Sequence, residues 1–446
     1  MEEKIVILGN GFDLRHFLPT SYNHLISILC EIEKLPEDKE SVSFSDLFDG
    51  VFKEKNEWFY NQINEYYRTE NFIFNLEEIK SIQNRLLDNS WFQYFKSVDK
   101  NKIETWIDFE TEIERILVAT LQYFESFSKD EFFKKPTYTF LKSGAGYYIP
   151  YTDYNQFFKS KLQALLLNSF KLISSQRGYW RINENYILTL EDEIQYYKEK
   201  DFFNFIYQSL EEFVGIFNDY ILNIINAFNG NLVEEKKEGF TNREGKYLFQ
   251  QVKTIFSFNY TNTFDNFYGF KQRSESEQLK MIVDLHISKK ESVKIEFLHG
   301  SYVENWKKDS DKLKIVLGVD DIHESLKKHK LFQFTKYFQK LHKQTDYLFL
   351  KDFEATNRTK NQNRYIFYFW GHSLDYSDRQ YIREVFNLVA NSDGSKIKIF
   401  YHSISAKGDQ LKNLLGIIEK EIIEKFMKDK IIEFIESTSE NLFEEL

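Results

Sequence analysis

Four prolines, seventeen glycines and a single cysteine are all that 446 residues hold of the types that most constrain a backbone. With one cysteine, Cys30, the chain forms no intramolecular disulfide and no cysteine-based zinc site. Cys30 lies in an apolar helical stretch and reads as a core residue rather than a nucleophile. No block of Lys and Arg stands out and the formal charge is −10, which argues against a basic stripe gripping a phosphate backbone. No apolar run reaches bilayer-spanning length, and the opening Met1-Glu2-Glu3-Lys4 lacks the basic start of an export signal. A soluble cytoplasmic protein with no membrane partner is expected.

What is abundant is aromatic: 45 Phe and 28 Tyr. Phe, Tyr, Ile, Asn and Lys share AT-rich codons, so base composition accounts for the excess better than stacking on nucleic acid, which accompanies a basic balance. Hydrophobic residues at 42% and charged residues at 29% mark a globular chain. Its length suits two lobes, or one domain with a large insertion.

Periodicity divides the chain. Lys4–Leu8 is a continuous apolar run, the mark of a strand buried on both faces, and Gly9 and Gly11 end it. From Ser21 to Tyr247 the pattern is overwhelmingly helical. Ile206, Leu210, Phe213, Phe217, Tyr220, Ile224 and Phe228 recur at three- and four-residue steps along one helix face, and Trp106, Phe109, Ile113, Ile116 and Leu117 along another. Lys142-Ser143-Gly144-Ala145-Gly146 reads as an exposed loop. Short apolar runs return at Thr254–Phe258, Ile282–Leu285, Lys294–Leu298, Lys314–Leu317, Tyr365–Trp370 and Lys396–Tyr401, and helical segments close the chain. Strands alternating with helices predict an α/β fold: a mostly parallel, Rossmann-like sheet. The first strand and glycine loop (1–20) and residues 248–405 would form its core, 21–247 a large all-helical insertion after strand one, and 406–446 C-terminal helices.

In such a sheet ligands bind beyond the C-terminal ends of the strands, and four runs end in a short polar signature. Gly9-Asn10-Gly11-Phe12-Asp13 follows the first; glycines there allow a tight turn and close approach to a phosphate. The dinucleotide fingerprint would need a small residue where Leu14 stands, and any strand-to-helix turn favours glycine. Asn259-Tyr260-Thr261-Asn262-Thr263 follows the second; Asn259 can orient a water or a carboxamide, or Asn259 or Thr261 can cap the next helix. His299-Gly300-Ser301 follows the third, and a histidine here is a candidate base. Gly371-His372-Ser373-Leu374-Asp375-Tyr376-Ser377-Asp378 follows the fourth. Asp375 and Asp378 either cap a helix or hold ribose hydroxyls or a metal, with capping favoured for Asp378. In Trp106-Ile107-Asp108-Phe109-Glu110 the aromatics belong on the buried face, and Asp108 and Glu112, four apart, read as a solvated acidic face.

Together these pieces resemble the bacteriophage abortive-infection AbiH family. The resemblance rests on Gly9–Leu14, Leu18–Tyr22, Trp106–Glu110 (Trp-x-Asp-x-Glu), Phe258–Thr263, Leu298–Gly300 and Gly371–Asp378, in the expected order. A more distant similarity is to sirtuin-like NAD hydrolases of phage defence, with a glycine loop after strand one, an Asn-Tyr-Asp segment, a His-Gly and a late Gly-x-Ser-x-x-Asp. It implies a sirtuin-like core that binds NAD and cleaves its nicotinamide–ribose bond, with no metal. Asn259 and His299 would be catalytic, at that bond. Gly9, Asn10, Gly11, Phe12, Asp13, Gly371, His372, Ser373, Asp375 and Asp378 would bind the nucleotide, Gly9 and Gly11 at the phosphates and Ser373 and Asp378 toward the adenosine. Thr261 stands where that pattern has an acid, and Asp13 where it has a small hydroxyl residue. A phage-derived trigger or partner protein would engage the insertion, and a homo-oligomer fits the same picture.

Three other readings compete. A non-catalytic nucleotide-binding sensor needs only the pocket. A metal-dependent nuclease would use His372, Asp375, Asp378 and Asp320 as hard ligands. An α/β-hydrolase would place Ser373 on a nucleophile elbow with His402 after the last strand, but Asp375 crowds the turn where that elbow has glycine.

Overall fold

The unalternating run Lys4–Leu8 becomes the middle of a sheet covered on both faces. In the computed structural model, β1 (Glu2–Leu8) lies between β2 (Val252–Ser257) and β4 (Arg364–Trp370), with β3 (Lys294–Phe297) beyond β2 and β5 (Lys396–Tyr401) and β6 (Ile432–Glu436) beyond β4. Every pairing is parallel, and the order β3-β2-β1-β4-β5-β6 is the doubly wound one, whose direction reverses between β1 and β4. The model describes residues 2–98, 106–128, 141–143, 146–150, 161–176, 178–190, 193–237, 252–268, 293–345 and 364–446, with 240, 249, 349, 350 and 353. The expected run Ile282–Leu285 lies outside them. Among the described residues no helix is long and apolar enough to cross a membrane.

Successive side chains of a strand point to opposite faces, so the apolar runs feed two cores. Ile5, Ile7, Phe367, Phe369, Ile397 and Ile399 pack on one side. Val6, Leu8, Tyr368, Trp370 and Phe400 pack on the other, in a cluster continuous with Tyr22, Leu25, Phe109 and Phe213 of the long segment between β1 and β2. That segment therefore shares the sheet's core rather than building a separate one.

Three expectations are corrected. First, the insertion is mainly but not wholly helical. Leu141–Ser143, Gly146–Pro150, Tyr179–Ile182 and Ile173–Gln176 form a four-stranded antiparallel sheet, and Ile187–Leu190 pairs with Glu193–Tyr197. These runs are three to five residues long, too short for a two-residue period to register; of the expected Lys142–Gly146 loop, Lys142, Ser143 and Gly146 are strand residues, and 144–145 lie outside the described residues. Second, Lys314–Leu317 is extended but belongs to no strand. Val316 N donates to His299 O, and side chains meet other backbone groups: Gln339 accepts from Leu317 N and donates to Leu317 O, Tyr260 donates to Val316 O, and Lys343 donates to Ile315 O. Third, the last segment is not all helix. Lys430 takes a left-handed φ of +54° and stops the preceding helix, after which Ile432–Glu436 adds the sixth strand.

The loops after β1 and β4 meet at the switch point. Gly9 N donates to Trp370 O and Gly11 N to Gly371 O, at 3.0 and 2.9 Å. A Cβ on Gly371 would sit 2.3 Å from Phe12 N, and its φ is +66°. Both strain and collision oppose a side chain there, so Gly371→Ala should lower unfolding stability by about 2 kcal/mol or more, read as a lower urea midpoint at unchanged m-value.

Candidate functional site

The four polar signatures converge on one cavity. Gly9, Asn10, Gly11 and Asp13 after β1, Asn259, Tyr260 and Thr261 after β2, His299 after β3, and Gly371, His372, Ser373, Asp375 and Asp378 after β4 line a space of about 310 Å³. A larger space of about 940 Å³ adjoins it and shares Gly11, Leu14, Ser21, Gly371, His372 and Ser373 as its wall. Both volumes fall within the range of small-molecule sites, and both sit at the topological switch point.

The insertion closes the smaller cavity. The helices α1 (Asn10–Arg15) and α2 (Tyr22–Lys34) follow β1, and Ser21 caps α2 by accepting from His24 N. Between them, Pro19 O accepts from Tyr220 of α4 (Glu199–Tyr220), and Thr20 O accepts from the Trp106 indole of α3 (Trp106–Ser128). The Thr20 hydroxyl donates to Asn10 Oδ1 at 2.7 Å. The Leu18–Tyr22 segment thus docks on two helices: Trp106 takes the Thr20 carbonyl and Tyr220 that of Pro19. Glu110 follows from that docking. One turn beyond Trp106, it enters the cavity, so the acids of this segment are not a solvated face. Glu112 is also buried, taking the Tyr94 hydroxyl and Arg115.

Lys336, unmarked by any motif, completes the group. It opens α5 (Lys336–Lys343), a helix turned inside out. Lys336, Gln339, Lys340 and Lys343 are buried, while Tyr337, Phe338 and Leu341 face outward. Lys336 Nζ lies 2.6 Å from Glu110 Oε1 and 3.9 Å from Asp378 Oδ1. Asp378 stands 3.5 Å from Nε2 of both His299 and His372. His372 Nδ1 accepts from Leu374 N at 2.9 Å, which leaves the ring proton on Nε2, toward Asp378. Phe258 holds both rings edge-on, its centroid 5.0 Å from His299 and 4.5 Å from His372.

Capping divides between the two late acids in the opposite sense to the sequence expectation. Asp375 accepts from Ser377 N and caps, whereas Asp378, at the N-terminus of α6 (Arg379–Ala390), makes no cap hydrogen bond because its carboxylate is turned to the histidines and Lys336. Asp378 therefore stands beside His299, not toward the larger cavity; Ser373 lines both spaces. Phe12, expected to bind a ligand, is a core residue: its ring is 1% exposed and packs on His16, Tyr268 and Trp370. Gly9 and Gly11 earn their places by packing rather than by open approach, since a Cβ on either would lie 2.5 to 2.9 Å from Gly371 or His372 backbone atoms. Asp320 pairs with Arg379, away from the cavity lining.

Burial sets the charge states. It lifts the Asp13 carboxyl to about 6, although Thr261, Thr263 and Asn259 oppose the shift. It lifts Glu110 to about 7, with Lys336 holding it down and Asp378 and Asp375 pushing it up. Burial and the neighbouring cations Lys336 and Lys340 put His299 well below its ordinary value, so its imidazole is neutral and weakly basic. Burial also works against the charge on Lys336, but Glu110 and Asp378 outweigh it and raise its pKa. Among buried atoms without a hydrogen-bond partner are Asp13 Oδ1, Asn259 Oδ1, His299 Nε2 and Asp378 Oδ1, all on residues of the smaller cavity. Among the described residues no group of three His, Cys, Asp or Glu is arranged to hold a metal ion.

A family model described as bacteriophage abortive infection AbiH matches residues 5–401. No match was found among curated proteins or among solved structures.

An acid whose folded pKa is raised loses stability as pH climbs from its unfolded toward its folded value. Asp13→Asn removes that ionisation cost and keeps an acceptor for Thr261. It should raise the melting temperature at pH 7–8, by on the order of 2–3 kcal/mol of stability. The gain should shrink as pH falls toward 4 and vanish below about pH 3, where Asp13 is neutral in the folded and the unfolded chain alike.

Proposed function

The chain belongs to the AbiH family of bacteriophage abortive infection proteins, which carries a role in phage defence. On that footing we propose that it binds NAD across the switch point and hydrolyses the nicotinamide–ribose bond.

The observation that carries this reading is the acidity of the smaller of the two joined cavities. It holds Asp13, Glu110, Asp375 and Asp378 against Lys336. The larger is lined by Arg15 and Lys55 together with Glu57 and Asp409, and by Phe17, Trp58 and Tyr66. Cleavage of this bond begins with a cationic pyridinium and passes through positive charge on the ribosyl carbon, which fixed carboxylates stabilise. The diphosphate would cross the wall at Gly11 and Gly371–Ser373 toward Arg15 and Lys55, whose cations suit phosphate oxygens, and the adenosine would lie among the aromatics. Asn259, 5% exposed and with Oδ1 unpartnered, would orient the water or the carboxamide. His299 Nε2, likewise unpartnered, would hold a hydroxyl beside it.

Thr261, where the sirtuin-like pattern has an acid, donates at 2.7 Å to Asp13, where it has a hydroxyl; both departures weigh against hydrolysis more than against nucleotide binding.

Binding without turnover is the second reading, favoured by the weak basicity of His299. Purified protein incubated with NAD and EDTA decides between them. Nicotinamide release is expected, and Asn259→Ala should cut it about 10²-fold or more. NAD bound without nicotinamide released would make the protein a sensor; EDTA-sensitive breakdown of nucleic acid would make it a nuclease.

A further inference from the structure

We infer that the proton acceptor for the attacking water is Glu110, delivered to the core by the insertion, and that Lys336 is its positioning residue. The inference rests on the NAD reading for its substrate and on the cavity geometry for its residues. Three carboxylates other than Asp375, whose Oδ1 is engaged by Ser377 N, line the smaller cavity. Asp13 is 1% exposed, its Oδ2 takes the Thr261 hydroxyl and its Oδ1 is buried without a hydrogen-bond partner; it is the least open of the three. Asp378 is placed between two imidazoles and Lys336, where its charge orients those rings. Glu110 keeps 18% of its side chain open and holds one firm partner, Lys336. A water in the cavity reaches Glu110 more readily than the closed carboxylate of Asp13.

The step balances without any further reactant. Glu110 takes one proton from water, the hydroxyl oxygen bonds to the ribosyl carbon, and the carbon–nitrogen bond breaks with its electron pair passing to the ring nitrogen. Nicotinamide leaves neutral, and the proton on Glu110 passes to solvent. Neutral His299 and Asn259 hold the water through single hydrogen bonds and need not change protonation.

The groups facing Glu110 are Lys336 on α5, Asp375 and Asp378 after β4, and Tyr260 after β2. Of these only Lys336 favours the ionised carboxylate. Removing its charge therefore makes Glu110 harder to ionise, and activity that rises with pH as Glu110 ionises should need a more alkaline solution.

Full-length Glu110→Gln, Lys336→Gln and Lys336→Arg proteins test this, with ADP-ribose affinity as the check on the pocket. Glu110→Gln should bind ADP-ribose within about threefold of the parent, release nicotinamide about 10²–10⁴-fold more slowly, and fail to protect cells from phage. Lys336→Gln should move the acid limb of the pH–rate profile up by about one pH unit, and Lys336→Arg should bring it back. Rapid turnover by Glu110→Gln, or an acid limb unmoved in Lys336→Gln, overturns the inference. If Glu110→Gln fails to bind ADP-ribose, the Lys336→Gln limb decides alone. If the parent releases no nicotinamide, the NAD reading falls, and phage protection then decides: a folded Glu110→Gln protein that still protects overturns the inference, and one that does not supports it.

Discussion

Everything at this site hangs on one contact between backbones. The loops leaving β1 and β4 touch through Gly9, Gly11 and Gly371, closer than any side chain would permit, and are stitched by two amide-to-carbonyl hydrogen bonds. That contact fixes the wall shared by the two cavities. Gly11 and Gly371 form that wall together with Leu14, Ser21, His372 and Ser373. Asp13 and the His372–Asp378 turn are then set on either side of it at fixed positions. The glycines are thus indirect in their effect on a ligand: they bring two loops together, and the loops make the room.

The insertion is bound to the same place by polar threads rather than by its own fold. Pro19 and Thr20 offer carbonyls, Tyr220 and Trp106 take them, and Glu110 comes along with Trp106. Asp219 on α4 pairs with Arg85 and takes the Trp306 indole. Asn218 beside it exchanges two hydrogen bonds with the backbone of Val303. Past Tyr220 the helix continues through a π-helical turn, Ile221–Ile225, of the kind that gathers at functional sites; Tyr220 and Ile221 line the cavity. The parallel sheet and the helical segment are in this sense one body around the smaller cavity.

The sheet was legible because its strands are buried on both faces and read as unbroken apolar runs. β6 was not, because at the sheet's edge Ile432-Glu433-Phe434-Ile435-Glu436 mixes charge with apolar residues and its pairing with β5 is decided by tertiary contact. The site was legible where it follows those strands: Asn259, His299 and the Gly371–Asp378 turn needed only the rule that chemistry gathers at strand ends. Lys336 had no such marker. Lys336, Gln339, Lys340 and Lys343 recur on one helical stripe, and such a stripe normally faces water; nothing local says that this helix turns it inward. Glu110 was visible as part of a motif, but its direction depends on Trp106 finding Thr20, a contact across 86 residues. Phe12 misled for the converse reason, since a residue between two cavity-lining neighbours in a short helix can still point to the core.

The strand order carries a consequence for how the protein is made. β1 is made before the other strands of its sheet, yet it must sit between two strands encoded far downstream, Val252–Ser257 and Arg364–Trp370. Until the second of them is synthesised β1 has at most one lateral partner, and the glycine loop has nothing to close against. A product cut short of Trp370 therefore contains the first residues of the site but not the assembled site.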